Sequence, residues 1–304
     1  MTLVAECRMR VLIAYDGSAG AAQAVSLAEG IDWPAGSMLR VVSVMEPTAI
    51  PVLPWAPGIA DAQGIDRDVR AYIEADQAAV VGRLAAPDRT VDAVMVRDRP
   101  ASGLIDQARE FSADLVIVGS RGHGSIASLL LGSVSAEVVD HVACPVLVAR
   151  RSTLERVVFA NDGSVSALAA EDILARWPIF AGLPIRVLSV ADVVRPWTTG
   201  VAPTMYRQVL NAYAKDVAGA EAEHLEIARG SARRLVDAGR RAEASMVRGD
   251  AAAEIIVVAQ ESGADLVVVG SRGQTGLKRI VLGSVARNVL GAGDASILVV
   301  HAAR

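Results

Sequence analysis

Two aspartates and two glycine clusters are the residues whose types and spacing could do chemistry. Asp16 and Asp162 each stand in Asp-Gly-Ser, directly after a short apolar run. Later in each half comes the pattern G-x2-G-x9-G-S: Gly119, Gly122, Gly132 and Ser133 in the first, Gly270, Gly273, Gly283 and Ser284 in the second. Glycines at a strand end let backbone N–H groups approach an oxyanion with no Cβ in the way. A helix that opens at Gly-Ser adds unpaired N–H donors and a partial positive charge, and the serine adds a hydroxyl. Together these could cradle a phosphate, and the intervening residues would only need to cover the ligand. The plainer reading is that the glycines are turn residues and Gly-Ser a helix cap. Asp16 and Asp162 could bond a ribose hydroxyl or an adenine amino group, or serve as Asx-type turns. Val44 and Val190, at the ends of the second apolar runs, could flank an adenine ring or be core residues.

The elements that must position these groups are written twice. Residues 113–134 lie over 264–285 at a constant offset of 151, and thirteen of the 22 positions are identical. Near the start of each half the offset is 146, Arg10 onto Arg156, so the second half carries five extra residues in its middle. The chain therefore reads as two domains, 1–150 and 151–304, with the junction near 150–154. In the first half apolar runs at 11–14, 39–45, 91–96, 115–119 and 146–149 read as strands, and 19–29, 67–84, 101–111 and 133–141 as helices. Ser18 is placed to cap the first helix. In the second half the strands fall near 157–160, 186–190, 243–247, 266–270 and 297–300. The Pro-rich stretch from Glu46 to Gly64, EPTAIPVLPWAPGIADAQG, reads as irregular. Strands alternating with helices predict an α/β fold: two tandem doubly wound domains, each with a mainly parallel sheet flanked by helices. Ligands of such sheets sit beyond the carboxyl ends of the strands, where strand order reverses. That puts Asp16, Val44 and the glycine cluster on one rim.

Composition fits this plan. Hydrophobic residues make up 52% of the 304 positions and charged residues 21%, with mean hydropathy +0.38 and only 4% aromatics, so Val, Leu, Ile and Ala must build the core. A net charge of −4 with no basic tail argues against nucleic acid. Cys7 and Cys144 make no disulfide framework and no CxxC, which points to a reducing cytosol; Cys144, before Pro145, reads as a small core residue. There is no leader pattern, and no apolar run approaches the roughly 20 residues that span a bilayer. The expectation is a cytoplasmic protein with no membrane partner.

The residues VLIAYDGS at the first strand, ADLVIVGSRG and ADLVVVGSRG at the fourth, and G-x2-G-x9-G-S in both halves resemble the universal stress protein family in its tandem form, over about 8–150 and 155–301. The resemblance implies a five-stranded sheet per domain, of the adenine nucleotide alpha hydrolase-like type. It implies ATP as ligand, with or without Mg2+. One site would use Asp16, Val44, Gly119, Gly122, Gly132, Ser133 and Val134; the other Asp162, Val190, Gly270, Gly273, Gly283, Ser284 and Val285. It also implies an intrachain pseudo-dimer through the fifth strands, with a further homodimer left open. Lys278 and Arg279, facing Ala127 and Ser128 in the first copy, are expected to favour triphosphate at the second site.

Two classes compete for the function. In one the chain is an ATP-binding regulatory protein of the stress response with an unidentified protein partner. In the other it is a slow ATP hydrolase or phosphotransferase. Hydrolysis needs positioned water and neutralised phosphates, yet the sequence has no GxxxxGK[ST], and His123 is matched by Gln274 in the second copy. His141, His224 and His301 show no ligand spacing. A third reading is an interaction scaffold, with Trp55 and Trp197 in the Pro-rich loops as anchors or lids.

Overall fold

The computed structural model describes residues 8–46, 62–122, 131–192, 203–273 and 282–302. The chain divides into two compact units, Met1–Thr153 and Leu154–Arg304. The first unit runs β1 (Arg10–Ala14), α1 (Ala19–Glu29), β2 (Ser37–Met45), α2 (Ala62–Leu84), β3 (Arg89–Arg97), α3 (Pro100–Glu110), β4 (Leu115–Gly119), α4 (Ser133–His141) and β5 (Val146–Ala149). Its strands lie in the order β3-β2-β1-β4-β5, and each pairing is parallel. The second unit repeats this as β6 (Val157–Ala160), α5 (Val165–Arg176), β7 (Pro184–Ala191), α6 (Pro203–Asp237), β8 (Arg241–Arg248), α7 (Ala251–Glu261), β9 (Leu266–Gly270), α8 (Ser284–Ala292) and β10 (Ser296–Val300). Its strand order is β10-β9-β6-β7-β8, again parallel.

The central strands are apolar on both faces because helices cover both. Val11, Leu12 and Ile13 of β1 and Leu115, Val116 and Ile117 of β4 have no exposed surface, as expected for a parallel sheet covered on both sides. The chain builds β1, β2 and β3 in one direction and then returns to the other side of β1 for β4. The order therefore reverses between β1 and β4, and again between β6 and β9. That reversal opens a crevice at the carboxyl ends of the strands.

Several boundaries differ from the sequence reading. Helix α2 starts at Ala62, so the last three residues of the Pro-rich stretch are helical; residues 47–61 lie outside the described part. Helix α3 starts at Pro100, because proline at the first helical position costs no hydrogen bond. A 3-10 turn at Pro178–Phe180, with Trp177 stacked on Phe180 at 6.3 Å, had no signature in the sequence. Cys144 is half-buried, and burial together with the nearby Asp114 charge pushes its thiol up to about 12, against the opposing pull of a main-chain hydrogen bond. Among the described residues, no helix is long and apolar enough to cross a membrane.

Candidate functional site at the carboxyl ends of the strands

The turn after β1 is built by local chemistry. Gly17 has φ +77°, a left-handed conformation that glycine adopts without strain. The turn lets the Ser18 N–H donate to Asp16 Oδ1 at 3.0 Å, the Asx arrangement. Ser18 Oγ then accepts the Ala21 N–H at 3.2 Å as the cap of α1 and donates to the Arg121 carbonyl at 3.2 Å. One serine thus caps the first helix and ties it to the glycine cluster. The second domain repeats each step: Gly163 has φ +77°, Ser164 N–H donates to Asp162 Oδ1 at 3.0 Å, and Ser164 Oγ accepts from Ala167 and donates to the Arg272 carbonyl at 3.0 Å.

The glycines of the cluster do different jobs. A methyl on Gly119 would collide with the Gly20 backbone and lie 2.8 Å from the Ala21 nitrogen. Gly270 meets Ala167 N at the same 2.8 Å. These two glycines are required by the fold, since β4 and β9 run hard against the first turns of α1 and α5. Gly122 and Gly273 sit against the aspartates: a methyl there would lie 2.8 Å from Asp16 Oδ2 and 3.0 Å from Asp162 Oδ2. Asp16 and Asp162 therefore present one oxygen to the turn and the other to the second glycine of the motif.

Gly132 and Gly283 are different again. Gly132 N–H donates to the Ser120 carbonyl and Gly283 N–H to the Ser271 carbonyl, both at 2.8 Å. Each is the N-cap of its helix, with φ −71° and −62°, and neither helix has a side-chain cap. A methyl on Gly132 would meet nothing nearer than 3.6 Å; on Gly283 the nearest atom is 3.3 Å away. Neither dihedral requires glycine, and Ser or Asp would cap better. The first-turn N–H groups of α4 and α8 point out of the helix without intrahelical partners. Ser133 and Ser284 stand exposed at these helix starts; Val134 is half-buried and Val285 is 36% exposed.

Val44 and Val190 are half-buried at the ends of β2 and β7. The methyls of Val44 pack on helix α3, where a Cβ on Gly103 would come within 3.0 Å of them. Val44 thus packs against α3 while part of its surface stays on the rim. The structure brings Asp16, Gly119, Gly122 and Gly132 together in domain 1, and Asp162, Gly270, Gly273 and Gly283 in domain 2. Trp55, Trp197, His123, Gln274, Lys278 and Arg279, with Ala127 and Ser128, lie outside the described residues.

Sequence reasoning missed three groups that shape the cluster. Ser135 donates to the Gly119 carbonyl at 2.7 Å, and its aligned residue is Ala286. Ser166 donates to the Arg272 carbonyl and accepts the Arg272 N–H at 3.2 Å, where the first domain has Gly20. Tyr15, at the end of β1, hydrogen-bonds Asp76 of α2; burial first and that carboxylate second push its hydroxyl up to about 12. The first two were accessible from the 146- and 151-residue offsets; the third needed the packing of α2. Among the described residues, no group of three His, Cys, Asp or Glu side chains is placed to hold a metal.

Doubly wound parallel sheets, Asx turns facing a glycine cluster at the switch point, and uncapped Gly-Ser helix starts define a class of tandem α/β domains. Known proteins place this chain within it. The model of the universal stress protein family matches residues 8–150 and again 153–301, so the chain belongs to that family and carries two of its domains in tandem. A universal stress protein of Thermus aquaticus is 34% identical over 140 residues, 46% of this chain and 97% of its own. A universal stress protein of Mycobacterium tuberculosis is 33% identical over 147 residues, 47% of this chain and 45% of that one. The crystal structure of a universal stress protein from Archaeoglobus fulgidus superposes with a TM-score of 0.66 at 18% identity, covering 97% of both chains. A functionally unknown protein from Pseudomonas aeruginosa PAO1 gives 0.57 at 16% identity, over 98% of this chain and 94% of that one. These two structural likenesses speak to the fold.

Proposed function

We propose that the protein is an ATP-binding regulator of the stress response in the cytoplasm, with one nucleotide site per domain and little or no hydrolysis. The observation that carries this reading is the glycine at each helix start. Gly132 and Gly283 are demanded neither by their dihedrals nor, for Gly132, by any close neighbour, and they forgo a better cap. Their benefit is space for an anion against exposed N–H donors at the positive end of a helix. In this reading Gly122, Gly132, Ser133 and Val134 hold the phosphates in domain 1, and Gly273, Gly283, Ser284 and Val285 in domain 2. Asp16 and Asp162 meet the ribose or adenine with the oxygen that faces the cluster, and Val44 and Val190 border the base. Gly119 and Gly270 act indirectly, by allowing the cluster to approach the first helix. Any Mg2+ would arrive with the nucleotide. ATP then serves as a ligand that orders the loops over it and biases contact with a protein partner.

The test is to purify the chain without added nucleotide, denature it, and measure what is released. About two ATP per chain is the expected result, falling to one in Gly132→Glu or Gly283→Glu and to none in the double variant. No release, and no calorimetric uptake at millimolar ATP, would refute the reading. Turnover within the common enzyme range of about 1–10³ per second would favour the hydrolase instead.

A further inference from the structure

At the opposite, amino-terminal ends of β6, β7 and β8 lies a cleft of about 460 Å3 that the nucleotide reading does not use. The eight residues of β7 separate the two ends by roughly 26 Å at about 3.3 Å per residue. Four arginines line the cleft, Arg156, Arg186, Arg240 and Arg241, against one carboxylate, Glu243. Their hydrogen bonds leave most of that charge uncompensated. Arg156 donates to the Ser262 carbonyl at 2.5 Å. Arg240 donates to the Ala175 carbonyl at 2.8 Å and the Trp177 carbonyl at 2.9 Å. Arg241 donates to the Gly182 carbonyl at 3.3 Å. All of these acceptors are neutral. Among the described residues, only Arg186 of the four is ion-paired, through its Nε to Glu243 at 2.9 Å. The Asp265 carboxylate, nearby, accepts the main-chain N–H groups of Glu155 and Arg156. Burial pulls the Arg240 pKa down, the mark of a cation short of water and of counter-charge.

The first domain provides the control. At the aligned positions it has Arg10, Arg40 and Arg89, with Asp88 and Asp92 among them. Arg40 grips Asp92 through two nitrogens, at 3.0 and 2.6 Å, and its guanidinium lies 4.4 Å over the buried Phe111 ring. Arg89 pairs with Asp88 at 3.2 Å. In the second domain three replacements run in one direction. Gly239 stands for Asp88 and removes an acid, Arg241 stands for Thr90 and adds a base, and Ser262 stands for Phe111 and removes the filler. Three arginines facing two acids become four facing one.

We propose that this cleft binds a small phosphate-bearing anion through Arg156, Arg186, Arg240 and Arg241, at a site separate from the nucleotide cradles. Planar guanidinium forks match phosphate oxygens two at a time, and the volume falls within the range of small-ligand pockets. The exposed side chain of Val236, 51% accessible, supplies an apolar wall for the remainder of such a molecule.

The experiment is a calorimetric titration of inorganic pyrophosphate into the full chain. One event per chain is expected, and it persists in the Gly132→Glu/Gly283→Glu double variant. Ser262→Phe, which restores the first domain's filler without removing a charge, abolishes it. Arg241→Gln, at an exposed strand start that leaves the core intact, weakens it about tenfold. Thermal unfolding confirms that each variant is folded. No uptake at millimolar pyrophosphate would overturn the proposal, as would uptake that both cleft variants leave unchanged. Binding lost in the glycine double variant but kept in Ser262→Phe would assign the event to the nucleotide cradles and overturn it equally.

Discussion

The two domains join the first helix to the glycine cluster with different atoms. In domain 1, Gly20 brings α1 so close to the cluster that a methyl on it would collide with the Arg121 carbonyl oxygen. In domain 2 the aligned residue is Ser166, whose hydroxyl bonds both the carbonyl and the N–H of Arg272. One copy makes the junction by close approach, the other by hydrogen bonds. What both retain is the position of the second and third glycines relative to the aspartate, and the serine cap that crosses to the cluster. The junction has changed while the placement of the glycines against the aspartate has not, as the proposed nucleotide sites require.

Exchanging the two solutions breaks the comparison most directly. Gly20→Ser places a Cβ against main chain that can move only with its helix, so we expect a loss of about 3 kcal/mol, the upper part of the range for overpacking. Ser166→Gly removes hydrogen bonds but creates no clash, and should cost about 1–2 kcal/mol. Denaturant unfolding of the two variants measures both. Equal losses would mean that the junctions are equivalent after all.

A second pair tests how far the domains differ beneath the site. Arg83 of α2 and Arg234 of α6 align at the 151-residue offset. Arg234 grips Glu171 through two nitrogens, and the glutamate side chain is only 9% exposed. Arg83 meets Glu29 at 2.7 Å, with both side chains 45% exposed. Removing a cation from a buried carboxylate leaves a charge without its partner, whereas an exposed pair contributes little. Arg234→Met should therefore cost about 2 kcal/mol, less than a fully buried pair because the arginine is itself 55% exposed. Arg83→Met should cost under about 1 kcal/mol.

Much of this plan was legible because it is local. The apolar runs at 11–14 and 115–119 are short, close to Asp16 or Gly119 at their ends, and doubled, so strand identity and parallel topology followed from spacing. The Ser18 cap lies three residues from the N–H it accepts. The division of labour among the glycines was not legible. Gly119 and Gly132 look alike in the sequence; one is fixed by Gly20 and Ala21, far away in the chain, and the other by nothing in the fold. The Glu171–Arg234 pair spans 63 residues. The arginine cleft draws on three strand starts that no linear motif joins. Ser262 there is informative only beside Phe111, and that comparison required knowing that the aromatic covers Arg40.

The smallest effect is expected at the end of the first strand, and it is silent near neutral pH. Domain 1 places Tyr15 there, and domain 2 places Asn161, 3% exposed, with its amide bonded to the Gly163 N–H at 2.8 Å and facing Glu171. Burial raises the Tyr15 pKa, the Asp76 hydrogen bond and charge raise it further, the Tyr72 side chain adds to this, and Arg83 opposes it; the result is about 12 against an ordinary 10.0. An acid whose folded pKa is raised stabilises the fold in its neutral form. Its contribution is complete below pH 10, where the unfolded chain's tyrosine is also neutral, and is lost as pH rises to about 12. Ultraviolet titration of the phenolate should therefore show a late step that Tyr15→Phe deletes and Asp76→Asn moves toward 10. Over the same interval Tyr15→Phe should lose less stability than the parent. If the late step survives Tyr15→Phe, another tyrosine carries it; if Tyr15→Phe deletes it and Asp76→Asn lowers it, α2 holds the tyrosine at the end of the first strand of domain 1, where domain 2 has the Asn161–Glu171–Arg234 network.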